Sequence, residues 1–127
     1  MNIIVTGATG FIGSHLVEAL LRRNCHVACF VRKTSNLRWL NGLGVELVYG
    51  ELTNPADAEK AIAGRDYLYH IAGVTKAFTK EEYFRGNYAS TKTLLEACAN
   101  AGHTLKKILH VSSLAAAGPS LDGIPLT

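Results

Sequence analysis

The chain has 127 residues, 48% hydrophobic and 18% charged, with a formal net charge of +3, a balance that fits a single folded domain and excludes a disordered segment. Basic residues never run longer than two, which argues against a nucleic-acid surface, and no apolar stretch reaches the ~18–20 residues that span a bilayer. Three cysteines make no even framework; Cys25 and Cys29 sit in an apolar run, so buried thiols are expected rather than a metal site, and the cytoplasm is the expected compartment. Along the chain, short apolar runs alternate with helical patterns. Strands are predicted at Ile3–Thr6, His26–Val31, Val45–Tyr49, Tyr67–Ile71 and Lys107–Val111, and helices at Phe11–Arg23, Pro55–Ala63 (ended by Gly64) and Glu81–Ala101, with a short helix at Leu37–Leu40. Such alternation predicts parallel pairing with helices on both faces: an α/β, doubly wound sheet that binds ligands at the carboxyl ends of its strands.

Between the first strand and first helix, "VTGATGFIGSHL" carries Gly7, Gly10 and Gly13 in the pattern G-x-x-G-x-x-G. In that position the three glycines serve different ends. Gly7 permits a tight turn, Gly10 lets backbone approach a pyrophosphate, and Gly13 lets the helix pack on the strand. The N–H groups of Phe11 and Ile12 then face the phosphates at a positive helix end, with Thr9 in the same cradle. A P-loop is excluded, because no Gly-Lys-Ser/Thr follows. The second strand ends in "CFVRKTSN", which places Arg32 19 residues after Gly13, where an acidic residue would hold a ribose 2′-hydroxyl. Arg32, with Ser35 close by, suits the 2′-phosphate of NADP better, although NAD remains possible.

The glycine spacing within "TGATGFIGSHL" resembles the extended short-chain dehydrogenase/reductase family, the NAD(P)-dependent epimerases, dehydratases and dihydroflavonol-reductase-like enzymes. The likeness continues through "GELTNP", "DYLYHIAG", "NYASTKTLLEAC" and "ILHVSSLAAAG". It implies a Rossmann fold with strand order 3-2-1-4-5, Glu51 and Leu52 near the adenine, and Ala72 and Gly73 beside the cofactor. It also implies that Ser113 is the catalytic serine and that Asn87 helps to organise the site. Ala117 stands where sugar epimerases often carry a tyrosine, which weighs against a strict sugar epimerase.

Tyr88-x-x-x-Lys92 has the spacing of the family's acid/base pair, yet it precedes Ser113 by 25 residues, whereas the family's pair follows the serine. At 100° per residue, Phe84, Asn87, Thr91, Leu94, Leu95 and Cys98 form the stripe expected to pack on the sheet. Lys92 falls on the solvated side with Arg85, Ala89, Glu96 and Asn100, so Tyr88 and Lys92 are read as a decoy. Asn87 is expected as a buried amide in need of partners, and His70 as a packed core histidine.

The expected protein is thus the cofactor-binding part, residues 1–127, of a longer oxidoreductase or epimerase. It would move hydride between NADP(H) and a carbonyl or alcohol carbon of a small-molecule substrate. It is expected to be a homo-oligomer, with no nucleic-acid or membrane partner, and to be inactive alone for want of the Tyr-x-x-x-Lys pair. "GPSLDGIPLT" reads as a loop-like ending that leaves the fifth strand an open edge. The alternative is a regulatory module that senses NADP without chemistry.

Overall fold

Strands rich in β-branched and aromatic residues, separated by glycine and proline, assemble into one five-stranded sheet in the computed structural model, which describes residues 1–100, 105–120 and 123–124. The strands are β1 (Asn2–Thr6), β2 (His26–Val31), β3 (Glu46–Tyr49), β4 (Tyr67–His70) and β5 (Lys107–His110). Every pairing is parallel, in the order β3-β2-β1-β4-β5. The register sets Thr6 beside Phe30 and His70, and His70 beside His110. The carboxyl ends of four strands therefore meet along one line.

Because β1 and β2 are apolar at successive positions, both faces of the sheet centre are covered. Ile3, Val5, Val27, Cys29 and Val31 pack on one face with Val17 and Leu20 of α1 (Phe11–Leu21). Ile4, Ala28, Phe30, Val48 and Leu68 pack on the other against α2 (Pro55–Ile62) and Leu94 and Ala97 of α4 (Ser90–Asn100). Cys25 and Cys29 are buried thiols, and desolvation pushes the Cys29 thiol up to about 12. The start of α2 follows from its sequence: Asn54 accepts the Ala56 and Asp57 N–H groups ahead of Pro55, and Gly64 takes φ +70° beyond the end.

Two expectations are corrected. Leu37–Leu40 is a turn, closed by Leu40 N–H on the Leu37 carbonyl at 2.8 Å, because Gly42 at φ +78° and Gly44 stop propagation; buried Leu40 plugs the core there. The long helix is three pieces: α3 (Lys80–Tyr83), a π-helical segment (Phe84–Ala89) and α4. Its predicted end at Ala101 lies outside the described residues, as do residues 121–122 and 125–127 of the loop-like C-terminal stretch.

Candidate functional site

The turn between β1 and α1 is built from glycines with different reasons. Gly7 has φ +73°, and a side-chain carbon there would lie 2.6 Å from the Ala72 nitrogen. A carbon at Gly13 would collide with the Gly7 carbonyl. Gly10 differs: its φ of −85° suits any residue, and a side-chain carbon would meet only the Gly7 oxygen, at 3.4 Å. The protein's own packing requires Gly7 and Gly13 but not Gly10, whose bare backbone faces an open groove. No side chain caps Gly10 and no acidic residue stands in the first turn of α1. Ser14 and His15 both donate to the Phe11 carbonyl, at 3.0 and 2.8 Å, which holds the turn. A positive helix end thus opens into the groove.

That groove has a volume of about 1050 Å³. Gly7, Thr9, Gly10, Phe11, Ile12, Gly13, Arg32, Ser35, Glu51, Leu52, Ala72 and Gly73 all line it. At the β2 end, the Arg32 N–H donates to Ser35 Oγ at 3.0 Å, which leaves the Ser35 hydroxyl proton free to donate outward. The Arg32 guanidinium is exposed and has no carboxylate partner among the described residues. After β3, Asp57 Oδ2 accepts the Glu51 N–H at 2.9 Å and so fixes the start of the Glu51–Thr53 wall.

The loop after β4 closes the other end. Val74 is held by both its polar backbone groups: its N–H donates to Asn87 Oδ1 at 2.8 Å and its carbonyl accepts from Asn87 Nδ2 at 3.0 Å. Val74 also fills the space that a side chain at Gly86 would need. Asn87 is therefore exposed and bonded to a loop, not buried in the apolar stripe. The π-helical turn takes more residues than an α-turn, so positions before Ser90 are rotated out of phase with those after it. Phe84 is likewise exposed, and the face of α4 that packs inward carries Ser90, Leu94 and Ala97, with Leu95 exposed.

Buried His70 is a linker. Thr6 Oγ1 accepts the Ala72 N–H at 3.3 Å and shares a hydrogen bond with His70 Nδ1 at 2.7 Å, while His70 Nε2 shares one with Thr91 Oγ1 at 2.9 Å. Burial, with His110 stacked at 5.1 Å, lowers its pKa to about 4 and keeps it neutral. Ser113 lies beyond β5, exposed and outside the groove lining; its Oγ accepts the Ala115 N–H at 3.2 Å and caps a short 3₁₀ segment, Leu114–Ala116. Tyr88 is exposed against the Phe84 ring, and Lys92 is paired with Glu96 on the solvent side. The two do not form a buried pair.

The groove also recruits Thr53, Val74, Lys76 and Arg85, which sequence reasoning did not single out. Thr53 was foreshadowed by its place in "GELT". The others come to the groove only because the β4–α3 loop folds back onto the π-helical segment, for which the sequence carries no local signal.

A family model described as NAD dependent epimerase/dehydratase family matches residues 3–127. The chain is 36% identical over 125 residues to sterol demethylase protein B of Methylococcus capsulatus, covering 97% of this chain and 38% of that protein. It is 37% identical over 120 residues to ceramide reductase of Caulobacter vibrioides, covering 94% of this chain and 37% of that protein. Among solved structures, a short-chain dehydrogenase/reductase superfamily protein from Agrobacterium tumefaciens with bound NAD superposes with a TM-score of 0.70 at 28% identity, over 87% of this chain and 32% of that one. The chain thus spans a little over a third of the length of the curated relatives it matches. No helix among the described residues is long and apolar enough to cross a membrane.

Proposed function

The chain belongs to the NAD dependent epimerase/dehydratase family, and from that premise we propose that it is the cofactor-binding part of an NADP-dependent reductase acting on a carbonyl or alcohol carbon. The observation that carries this reading is Gly10. A glycine that the fold does not itself require, at an uncapped helix end in a groove, is explained by a phosphate that needs the backbone close. The relative with bound NAD supports the class of ligand. Arg32 and Ser35, with Arg32 in no ion pair among the described residues, support the 2′-phosphate form. A relative named as a reductase, together with Ala117 in place of a tyrosine, supports reduction over sugar epimerisation.

The groove's residues then divide the work. Phe11 and Ile12 N–H groups hold the pyrophosphate, Glu51 and Leu52 flank the adenine, and Ala72 and Gly73 set the nicotinamide end. Bound there, the cofactor supplies the hydride. Ser113 donates to the substrate oxygen, with the Ala115 N–H polarising its hydroxyl. Asn87 is a positioning residue that fixes Val74 and the loop beside the nicotinamide. The proton is exchanged by a group other than Tyr88, whose neighbour Lys92 is engaged with Glu96.

In the natural polypeptide that carries this sequence, Ser113→Ala should lower kcat for NADPH-dependent carbonyl reduction by a factor on the order of 10²–10³ and leave NADPH affinity unchanged. Tyr88→Phe should leave kcat within about twofold. The reverse pattern would overturn both assignments.

A further inference from the structure

The loop after β4 carries positive charge that the cofactor reading does not use. Lys76 on this loop and Arg85 on the π-helical segment both line the groove, across β1 from Arg32 and Ser35. Neither is in an ion pair among the described residues. Glu82, which lines the same end, is directed through Oε2 to the N–H groups of Phe78 and Thr79, at 2.8 and 3.3 Å. Two cations that line one groove without an ion-pair partner among the described residues suit a ligand of opposite charge.

The loop is also fixed rather than draped. Asn87 holds Val74 at both backbone groups, the Tyr83 hydroxyl donates to the Thr75 carbonyl at 3.0 Å, and Glu82 holds Phe78 and Thr79. The helical run that presents Arg85 therefore pins the loop on both sides of Lys76. Cations carried on a fixed backbone bind an anion without the cost of ordering a loop.

We propose that Lys76 and Arg85 form a receptor for an anionic group, a carboxylate or phosphate, on the substrate that exchanges hydride with the nicotinamide. The inference rests on the cofactor reading above, in which the cofactor's own charges are already met: the pyrophosphate by the α1 N–H groups and the 2′-phosphate by Arg32 and Ser35. The charge left for Lys76 and Arg85 belongs to the substrate. Arg85 offers a planar fork that matches either anion bidentately, and Lys76 a compact charge.

The test is calorimetric titration of the natural polypeptide saturated with NADP⁺, using 4-oxopentanoate, the neutral ketone 2-pentanone, and inorganic phosphate. The wild type should bind 4-oxopentanoate at least about tenfold more tightly than 2-pentanone, and phosphate should compete with it. Phosphate binding tighter than 4-oxopentanoate would assign a phosphorylated substrate, and the opposite order a carboxylate. Lys76→Gln and Arg85→Gln should each weaken the anion about tenfold, with NADP⁺ affinity kept within about twofold. Lys76→Glu should abolish anion binding. The receptor is overturned if the wild type binds neither anion, if the variants bind them equally well, or if NADP⁺ weakens in parallel. Loss of NADP⁺ binding by the wild type itself would instead overturn the cofactor reading.

Discussion

Every residue of Ile3–Thr6 and Val27–Val31 is buried, whereas all of Lys107–His110 in β5 is exposed, with Ile108 at 41% and Leu109 at 48%. The β1–β2 side is sandwiched on both faces, and in its glycine turn Gly10 and Gly13 meet atoms of the same turn while Gly7 meets Ala72 after β4. The β4–β5 side is held together by side chains reaching across from a later helix, and its apolar edge is left uncovered. A half buried on both faces can carry a fixed ligand cradle. The half tied by longer-range contacts is where substrate chemistry and assembly with other copies or further chain are best placed.

The comparison breaks hardest at the glycine turn. Gly13→Ala should destabilise the fold by about 3 kcal/mol or more, because the added carbon meets backbone that cannot yield. Gly10→Ala should cost less than about 1 kcal/mol yet weaken NADPH binding by roughly tenfold or more. Chemical unfolding of both variants, beside cofactor titration of Gly10→Ala, checks this. Equal destabilisation by the two would mean that Gly10 serves packing and not a ligand.

The next effect lies at the seam between the halves. His70 is neutral in the fold, with its pKa lowered from 6.5 to about 4, and it must take up a proton when the chain unfolds in acid. Its contribution is fully present above pH 6.5 and is lost as pH falls towards 4, a change of about 3 kcal/mol at 1.36 kcal/mol per pH unit. Arg65 and Lys106 hold Glu46 and Asp66 below their ordinary values, so their contributions also fade in acid, but in wild type and variant alike. The wild-type slope between pH 6.5 and 4 should therefore exceed that of His70→Gln. Parallel slopes would show that His70 already titrates normally.

The same division explains what could be read from the residues alone. The strands, the glycine turn and the start of α2 were legible because each is dictated locally: an apolar run, a backbone angle, a proline at Pro55. The family's likeness supplied Glu51, Leu52, Ala72 and Gly73, which do line one groove. The π-helical segment was not legible, since nothing in "FRGNYA" marks an extra residue per turn, and the uniform 100° plot put Asn87 and Phe84 on the wrong face. Lys76 and Arg85 were missed for the same reason: what brings both to the groove is Val74 seated against Gly86 and bonded to Asn87.

A smaller effect sharpens that point. Asn87→Leu should cost about 1–2 kcal/mol, for two hydrogen bonds of about 1 kcal/mol each at an exposed site. The Val74 amide should exchange with solvent faster, while amides of β1 keep their protection. Unchanged Val74 exchange would mean that Gly86 packing alone holds the loop.

The central claim, that the β1–β2 half cradles a dinucleotide carrying a 2′-phosphate, is tested most directly by calorimetric titration of NADPH and NADH against the wild type and Arg32→Asp. Arg32 is exposed in the groove without a carboxylate partner among the described residues, and Ser35 is bonded beside it. NADPH should bind roughly tenfold or more tighter than NADH to the wild type. Arg32→Asp should reverse that order, because a carboxylate accepts from the 2′-hydroxyl and repels the phosphate. Equal wild-type affinities for the two cofactors would contradict the account.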